Sequence, residues 1–219
     1  MKFDVLTLFP EMFEPLKSSI IGKAIEKKLI DINIINIRDF SEDKHKKVDD
    51  TPYGGGAGMV MKPDVIDRAY QSINGENAKV IYMSPQGKPL NQEKVEILSK
   101  ESHIVLLCGH YEGIDQRILD KIVDEEISIG DYVLTGGEIP AMVLIDSVSR
   151  YVDGVLNQDS IGEESFSNGL LEYPQYTRPE IFDGKSVPEI LLSGHHEKIK
   201  QWRKEKSLEI TKMKRPDLL

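Results

Sequence analysis

The sequence predicts an α/β protein with a mostly parallel sheet, helices on both of its faces and a small, mainly helical C-terminal domain. Strand-like and helix-like segments alternate over residues 2–151, as in parallel sheets, whose neighbouring strands need crossover connections. Two strand-like runs end in turns rich in Gly, Tyr and acidic residues, CGHYEGID and SIGDYVLTGG. After Val155 the chain becomes polar and rich in small residues, which is typical of a linker.

The first elements follow from their hydrophobic patterns. Residues 2–8 are predicted to form a strand and residues 20–29 a helix. Residues 31–37 alternate apolar and polar side chains, which is the period of a half-buried strand. Residues 38–59 then form a long, polar, Gly-rich loop, and loops of this length are usually functional or disordered.

The middle of the chain continues the alternation. A helix begins at Pro63, because the apolar residues after it fall on one helical face. Residues 78–83 form a strand that ends in a turn at residues 84–87, and Asn91 is suited to cap the following helix. Residues 103–108 form the next strand.

The last elements are a helix at residues 114–122, an extended segment at 127–134 and a helix at 138–151. Residues 139–145 are apolar on every side, so we expect the last helix to be buried nearly all round. The predicted organisation is a sheet domain at residues 1–156, a flexible linker at 157–168 and a C-terminal domain at 169–219.

The composition is that of an ordinary globular protein, with 219 residues of which 39% are hydrophobic and 30% charged. No apolar run approaches the roughly 18 residues that a membrane helix needs, and the N-terminal residues are predicted to form a strand rather than a signal peptide. The single Cys108 excludes an internal disulfide and a Cys-rich zinc site, and it favours a reducing, cytoplasmic setting.

The charge is unevenly distributed along the chain. A net charge of −9 argues against a general nucleic-acid binder. Residues 101–173 carry 15 Asp and Glu against 3 Lys and Arg, whereas residues 195–219 carry 8 Lys and Arg against 4 Asp and Glu. A local basic surface can contact phosphate even in an acidic protein, although a solvated helix face explains the same pattern.

Three loops follow three successive strands, at residues 82–87, 109–113 and 129–137. In a parallel sheet such loops lie along one edge, where ligands bind. Their glycines leave backbone groups accessible, and three side chains offer aromatic walls: Tyr82, Tyr111 and Tyr132. The set suits an adenine-like ring and a neutral or zwitterionic ligand, and it contains neither standard phosphate-binding glycine motif. The alternative is a set of ordinary connecting turns.

Two charged positions have both a structural and a chemical interpretation. Arg150 ends the apolar helix four residues after Asp146, which suits an ion pair or a cation at a helix C-terminus. It equally suits an arginine that stabilises negative charge on a substrate. Glu163 and Glu164 lie in the linker. They belong either to a solvated acidic loop or to a mobile segment that supplies a carboxylate as general base.

The segment with His45, Asp49 and Asp50 precedes PYGGGAG and is either a substrate-binding loop or a turn-rich surface loop. The adjacent pair His195 and His196 does not have the spacing of metal ligands on a helix, and no metal is assigned.

Taken together, these segments closely resemble the bacterial tRNA (guanine-N1)-methyltransferase family of the trefoil-knot (SPOUT) methyltransferase superfamily. The matching segments run in order from end to end of the chain: LFPEMF, VDDTPYGGGAGM, YMSPQG, CGHYEGID, SIGDYVLTGGEIPAM, LIDSVSR, GLLEYPQYTRP, VPEILLSGHH and KRPDLL.

The resemblance implies a deeply knotted sheet and S-adenosylmethionine as the methyl donor. It implies a tRNA substrate, methylated at N1 of the guanosine just 3′ of the anticodon. The implied donor site comprises Tyr82, Met83, Ser84, Pro85, Gly109, Tyr111, Glu112, Gly113, Ser128, Ile129, Gly130, Tyr132, Leu134, Gly136, Gly137 and Pro140. The implied substrate contacts are His45, Asp49, Gly54, Gly55, Gly58 and Arg178.

The resemblance also implies roles and partners. Glu164 aligns with the family's general base and Arg150 with the arginine that stabilises guanine O6. The implied assembly is a homodimer, with sites at the interface completed by the partner's linker and C-terminal domain. A divalent ion such as Mg²⁺ is implied too, but the sequence offers no ligand set for it.

Three positions depart from the family pattern: Glu164 stands where Asp is usual, His110 where Arg is common and Gln175 where His is common. Many relatives also continue beyond KRPDLL, so we expect some C-terminal surface to be absent. Two rival functions stay open, a knotted ribose 2′-O-methyltransferase and a non-catalytic RNA-binding protein. A linker carboxylate together with Arg150 argues against both, because the N1 reaction needs proton removal and O6 stabilisation.

Overall fold

The computed structural model describes residues 1–73, 77–157, 162 and 164–219. The chain divides into two compact units, residues 1–156 and residues 157–219. The strands of the first unit are β1 (Lys2–Thr7), β2 (Asp31–Asn36), β3 (Asp49–Asp50), β4 (Val60–Met61), β5 (Lys79–Pro89), β6 (His103–Cys108) and β7 (Glu125–Ser128). Its α-helices are α1 (Ser19–Glu26), α2 (Pro63–Gln71), α3 (Gln92–Leu98), α4 (Gln116–Ile122) and α5 (Glu138–Ser149).

Five of these strands form one parallel sheet in the order β2-β1-β6-β5-β7. The predicted parallel sheet is therefore confirmed. The strands β6, β5 and β7 are neighbours, so the three predicted ligand loops follow adjacent strands at one edge, where parallel strands end together. The knot implied by the resemblance stays a prediction.

Helices cover both faces of the sheet, as predicted. Successive strand residues point to opposite faces, so Val5 packs into one apolar cluster and Leu6 into the other. The first cluster includes buried residues of α1, α3 and α5, and the second includes buried residues of α2 and α4. Asn91 caps α3 as expected, because its side chain accepts a hydrogen bond from the backbone N–H of Lys94 at 2.9 Å.

Strand β5 extends beyond the predicted end at Met83. It bulges between Met83 and Lys88 and then pairs with β7 again as far as Pro89. The bulge requires glycine, because a Cβ at Gly87 would lie 2.4 Å from the carbonyl carbon of Glu126. The local sequence is typical of a turn, but the renewed pairing with β7 keeps these residues within the strand.

Two other predictions, one of an extended segment and one of a loop, are wrong in part. The extended segment predicted at residues 127–134 ends as a strand at Ser128, and residues 129–137 form a loop. The loop predicted at residues 38–59 contains regular structure, since Ile37–Phe40 forms a 3-10 helix and β3 pairs with β4 as an antiparallel hairpin.

Helix α5 is not buried nearly all round within the single chain, contrary to the prediction. Its side chains Ile139 and Val143 remain 45% and 42% exposed, and Ile20 of α1 is 47% exposed. These three residues line a shallow apolar depression, which we call the α1–α5 hollow, together with Leu16, Ile21, Met142, Asp146 and Arg150. The pattern of α5 is apolar on all sides, but the described residues leave Ile139 and Val143 partly exposed.

The second unit is mainly helical, as predicted, with α6 (Glu189–Leu192), α7 (His196–Lys214) and the hairpin of β8 (Ile181–Phe182) with β9 (Lys185–Ser186). Its longer helix, α7, has 19 residues. The buried Thr211 accepts a hydrogen bond from the backbone N–H of Leu171 at 2.8 Å, which fixes α7 to the preceding chain. In the part of the chain that the structure describes, no helix is long and apolar enough to cross a membrane.

A buried carboxylate, Asp4, stabilises the centre of the sheet. It accepts hydrogen bonds from Asn33 of β2 at 2.7 Å and from Lys2 of its own strand at 2.7 Å, and it contacts Nε2 of His103 in β6 at 2.6 Å. Burial alone would raise the pKa of Asp4, but the hydrogen bonds outweigh burial and hold the pKa below its usual value. The ionised carboxylate thus contributes to the stability of the folded sheet.

We expect Asp4→Asn to lower the free energy of unfolding by about 1–3 kcal/mol at neutral pH, because hydrogen bonds to a buried charge are lost. A lowered folded-state pKa stabilises the protein above the ordinary pKa of about 4, and this stabilisation is lost as the pH falls through the folded-state value. Urea unfolding at several pH values should therefore show the difference from wild type shrinking below about pH 4. The exposed Asp31 provides a control, and a difference that persists in acid would contradict the assignment.

Candidate functional site

A cavity of about 440 Å³ lies where β6 and β7 end and where β5 bulges. Every residue that the sequence predicts for the donor site lines this cavity. The three loops were recognised separately by their Gly and Tyr residues, and the parallel sheet brings them together. The volume falls within the range of small-molecule sites, which is about 300–1,000 Å³.

The side of the cavity nearest β5 is formed by Tyr82, whose ring lies against Gly109. A Cβ at Gly109 would be 2.8 Å from the Tyr82 hydroxyl, so glycine permits this close approach. Burial, with smaller contributions from Glu126 and Cys108, raises the pKa of Tyr82 to about 12. The phenol therefore stays protonated near neutral pH and can act as a hydrogen-bond donor but not as a base.

The remaining aromatic side chains lie on the loops. Tyr111 has a left-handed backbone conformation with φ of 59°. The ring of His110 lies 4.9 Å from both the Tyr111 ring and the Phe9 ring. Tyr132 donates from its hydroxyl to the carbonyl oxygen of Ile129 at 3.3 Å. The departure at position 110 thus places an imidazole ring in a small cluster of tilted and edge-to-face rings at the cavity.

Backbone contacts connect the cavity loops. The N–H of Gly137 donates to the carbonyl oxygen of Gly109 at 2.9 Å. Ser128 closes its own loop, because its hydroxyl donates to the Gly130 carbonyl at 2.9 Å and accepts from the Gly130 N–H at 3.1 Å. These bonds fix the relative positions of the loops that follow β6 and β7.

A buried carboxylate, Glu138, packs against the loop that follows β7, and it was not predicted from the sequence. Glu138, the first residue of α5, is 2% exposed and accepts a hydrogen bond from the hydroxyl of Thr7 at 2.8 Å. A Cβ at Gly136 would lie 2.4 Å from its second carboxylate oxygen. Burial raises the pKa of Cys108 well above its ordinary value, with Glu138 adding to the effect, so this thiol is not an activated nucleophile.

The charges around the cavity have one sign. Among the described lining residues there are two carboxylates, Glu112 and Glu126, and neither lysine nor arginine. Such a lining favours a ligand that carries positive charge and disfavours a phosphorylated one. Five lining residues lie outside the three predicted loops and the implied donor site: Ile114, Gln116, Leu119, Glu126 and Ile127.

The predicted catalytic arginine lies away from this cavity within its own unit. Arg150 follows α5 and lines the α1–α5 hollow, whereas Pro140 near the start of the helix lines the cavity. At 1.5 Å per residue, these two positions are about 15 Å apart along the helix axis. The ion pair between Arg150 and Asp146 stays a prediction.

The predicted base belongs to the second unit. Glu164 is half-buried, and its backbone carbonyl accepts a hydrogen bond from the N–H of Ser167 at 3.3 Å. Glu163, the weaker candidate, lies outside the described residues. Arg178 also belongs to this unit and is exposed.

The predicted substrate loop contains the β3–β4 hairpin. Asp49 lies in β3, while Gly54, Gly55 and Gly58 follow with positive φ angles of 86°, 81° and 85°. The hairpin is joined to the cavity wall, because the Glu112 N–H donates to the Met59 carbonyl at 3.0 Å. His45 is exposed ahead of the hairpin, and its N–H donates to a carboxylate oxygen of Asp43 at 2.7 Å. The predicted donor and substrate segments are therefore adjacent, apart from those in the second unit.

Over residues 1–73, 77–157, 162 and 164–219, no group of three or more His, Cys, Asp or Glu side chains is arranged to hold a metal ion.

The chain is similar to known proteins over its full length. The profile of the family described as tRNA (guanine-1)-methyltransferase TrmD matches residues 1–219. Three curated relatives bear the name tRNA (guanine-N(1)-)-methyltransferase. The protein from Ruminiclostridium cellulolyticum is 61% identical, with 100% of this chain and 96% of that protein covered. The proteins from Alkaliphilus oremlandii and Clostridium botulinum (strain Kyoto) are each 61% identical, with 98% and 100% of this chain and 90% and 91% of those proteins covered.

Proposed function

Because the chain belongs to the tRNA (guanine-1)-methyltransferase family, we propose that it methylates N1 of the guanosine just 3′ of the tRNA anticodon, with S-adenosylmethionine as the donor. The tRNA (guanine-N1)-methyltransferase activity follows from family membership. The position of the target guanosine and the roles of individual residues go further and form the proposal.

The lining of the cavity is the observation that carries the donor assignment. S-adenosylmethionine has a sulfonium, an ammonium and one carboxylate, so its net charge is positive. The carboxylates of Glu112 and Glu126, with neither lysine nor arginine among the described lining residues, favour such a ligand. Tyr82 and the glycine backbone suit a flat adenine ring and its polar edge. When bound, the donor supplies an electrophilic methyl group on sulfur.

We expect Glu126→Gln to weaken S-adenosylmethionine binding by about threefold to tenfold, which is roughly 1 kcal/mol. The change keeps the shape of the side chain and removes one of the two carboxylate charges. Titration calorimetry with the purified protein measures this affinity directly.

Glu125→Gln is the matched control, since neighbouring strand residues point to opposite faces. Glu125 forms an ion pair with Lys94 at 2.6 Å and does not line the cavity. If both variants bind the donor equally well, the charge of Glu126 has no part in recognition.

The chemistry of guanine assigns a role to each of the two catalytic candidates. N1 carries a proton and is a poor nucleophile until that proton is removed, and the resulting charge spreads to O6. Glu164 is proposed as the base that accepts the N1 proton. Arg150 is proposed to hold the negative charge on O6 through its guanidinium. The reacting atoms must approach to about 3 Å, so both groups must lie close to the donor's methyl group.

This requirement supports a homodimer with shared sites. Within one chain, α5 separates Arg150 from the cavity by about 15 Å along its axis. The α1–α5 hollow, which Arg150 lines, presents the apolar side chains of Ile20, Ile139 and Val143 to solvent. A second copy that covers this hollow would bury the exposed face of α5 and contribute its own linker and C-terminal residues to a site. Sedimentation equilibrium tests the assembly.

The second unit is proposed to bind tRNA. Its last 25 residues or so carry 8 Lys and Arg against 4 Asp and Glu, in a chain with a net charge of −9. All of this excess lies on α7, whose side chains are largely exposed. On α7 itself, the guanidinium of Arg203 lies 4.7 Å from the centre of the Tyr173 ring. An exposed basic helix beside aromatic rings suits contact with the phosphate backbone.

The deciding experiment is methyl transfer from labelled S-adenosylmethionine to a tRNA transcript and to a transcript with adenosine at the target position. Label on the guanosine transcript alone supports the proposal. Label on both indicates another acceptor, such as a ribose 2′-hydroxyl. Binding of donor and tRNA without transfer to either transcript indicates a non-catalytic RNA-binding protein.

A further inference from the structure

An aromatic ring stands in solvent at the turn of the β3–β4 hairpin. Tyr53 is 99% exposed, whereas the next most exposed aromatic residue in the described part of the chain is Phe182 at 75%. A phenol ring presents a large apolar area that proteins usually cover. A ring held fully in water beside a binding cavity is therefore a candidate contact for a large ligand.

The backbone next to Tyr53 is equally open. Gly54, Gly55 and Gly56 follow with φ angles of 86°, 81° and 126°, which L side chains rarely adopt. A Cβ added at Gly54 or Gly55 would meet nothing within 4 Å. These glycines are not needed to avoid crowding inside the chain. They leave bare peptide groups beside the ring, so that a flat ligand can approach closely.

The base of the hairpin is fixed to the cavity wall. Met61 is fully buried, and its N–H donates to the carbonyl oxygen of Gly113 at 2.9 Å. Met59 accepts from the N–H of Glu112 at 3.0 Å, and the N–H of Lys62 donates to the carbonyl of the buried Val48 at 2.8 Å. The position of Tyr53 is thus tied to the loop that forms one side of the donor cavity.

An exposed arginine, Arg117, lies on the segment to which the hairpin is joined. The side chain of Arg117 is 73% exposed and is oriented by two hydrogen bonds to Asp115, at 2.9 Å and 2.8 Å. The backbone N–H of Asp115 donates to the carbonyl oxygen of Met61 at 3.2 Å, so the residue that orients Arg117 is joined to the base of the hairpin that carries Tyr53. An exposed aromatic ring and an oriented guanidinium on joined segments are the combination that binds unpaired nucleotides, by base stacking and phosphate contact.

We propose that Tyr53 stacks on an unpaired nucleobase of the tRNA next to the target guanosine, and that Arg117 contacts a neighbouring phosphate. This inference rests on the proposed function, because it takes tRNA as the ligand of the hairpin. The face of a nucleobase covers the ring without requiring a hydrogen bond from the phenol hydroxyl. Tyr53 therefore contributes to the affinity for tRNA and leaves the donor site unchanged.

Two substitutions separate stacking from other roles. Tyr53→Leu removes the aromatic face, and we expect it to weaken tRNA binding by about tenfold to a hundredfold, in line with the known contribution of one stacked base. Tyr53→Phe retains the ring and should bind tRNA nearly as well as wild type. Both variants should keep the wild-type melting temperature and S-adenosylmethionine affinity, because the side chain is exposed.

The measurements are filter binding of the tRNA transcript, calorimetry with S-adenosylmethionine, and the KM and kcat for tRNA. A Tyr53→Leu variant that binds tRNA like wild type overturns the inference. A loss of donor affinity or of thermal stability also overturns it, because the role is then structural. Filter binding does not depend on turnover, so a wild-type protein that binds tRNA without methylating it contradicts the proposed function and still tests the stacking.

Discussion

Replacing Glu164 by alanine is expected to lower the rate of methyl transfer to tRNA by about 10²–10⁴-fold, which is the usual contribution of a general base. In the proposed mechanism Glu164 accepts the proton on guanine N1, so its removal should leave that nitrogen a poor nucleophile. S-adenosylmethionine affinity should be unchanged, because the cavity in the first unit is formed without Glu164. Single-turnover rates with labelled donor, together with calorimetry, separate these two effects.

Two further variants define the role of Glu164. Glu164→Asp keeps the carboxylate and shortens the side chain by one methylene to the residue that is usual in the family, so it should retain most of the activity. Glu163→Ala removes the neighbouring carboxylate and should leave the rate close to wild type. A large loss in Glu163→Ala with an active Glu164→Ala variant would move the base to Glu163.

Gly137→Ala is expected to reduce S-adenosylmethionine affinity at least tenfold and to lower the free energy of unfolding by about 1–3 kcal/mol. The φ of Gly137 is −83°, so alanine could adopt its backbone conformation without strain. The obstacle is space, because a Cβ would lie 2.8 Å from the Cα of Cys108 and 3.0 Å from the backbone nitrogen of Gly109. Since both are backbone atoms, the loops that follow β6 and β7 must move apart.

Thermal unfolding and donor titration measure this prediction, and Gly162→Ala provides the control. At Gly162 an added Cβ meets nothing within 4 Å, so stability and donor affinity should be unchanged. If Gly137→Ala binds the donor like wild type despite a lower melting temperature, the contact between the two loops supports the fold but not the site.

The cavity could be predicted from sequence because its signals are local. Gly109 and Tyr82 each follow from the composition of a single turn or strand end, and the alternating elements place those turns at one edge of a parallel sheet. Glu138 could not be predicted as the support of the loops, since its partner Thr7 lies 131 positions away along the chain. Its burial depends on tertiary packing that no local pattern records.

The fold was predictable where the pattern of apolar residues in a segment agrees with the burial of that segment in the folded chain. Residues 104–108 are uniformly apolar, and they belong to β6, a central strand that is covered on both faces. The same reasoning failed for α5. An apolar pattern predicts that a helix face is removed from water, but it does not identify the segment or subunit that covers the face. It also failed at residues 84–87, where renewed pairing with β7 continues a strand that the local Pro and Gly would end.

The order of the strands also constrains how the chain is made. Strand β6 is inserted between β1 and β5 although it follows both in sequence, so that Leu6 faces Leu107 and Ile81 faces Leu106. A nascent chain that ends before His103–Cys108 has two apolar strands with no neighbour between them. Such long-range pairing slows folding, and exposed strand edges favour aggregation. We therefore expect the five-stranded sheet to assemble only after β6 has been synthesised, with the inner edges of β1 and β5 exposed until then.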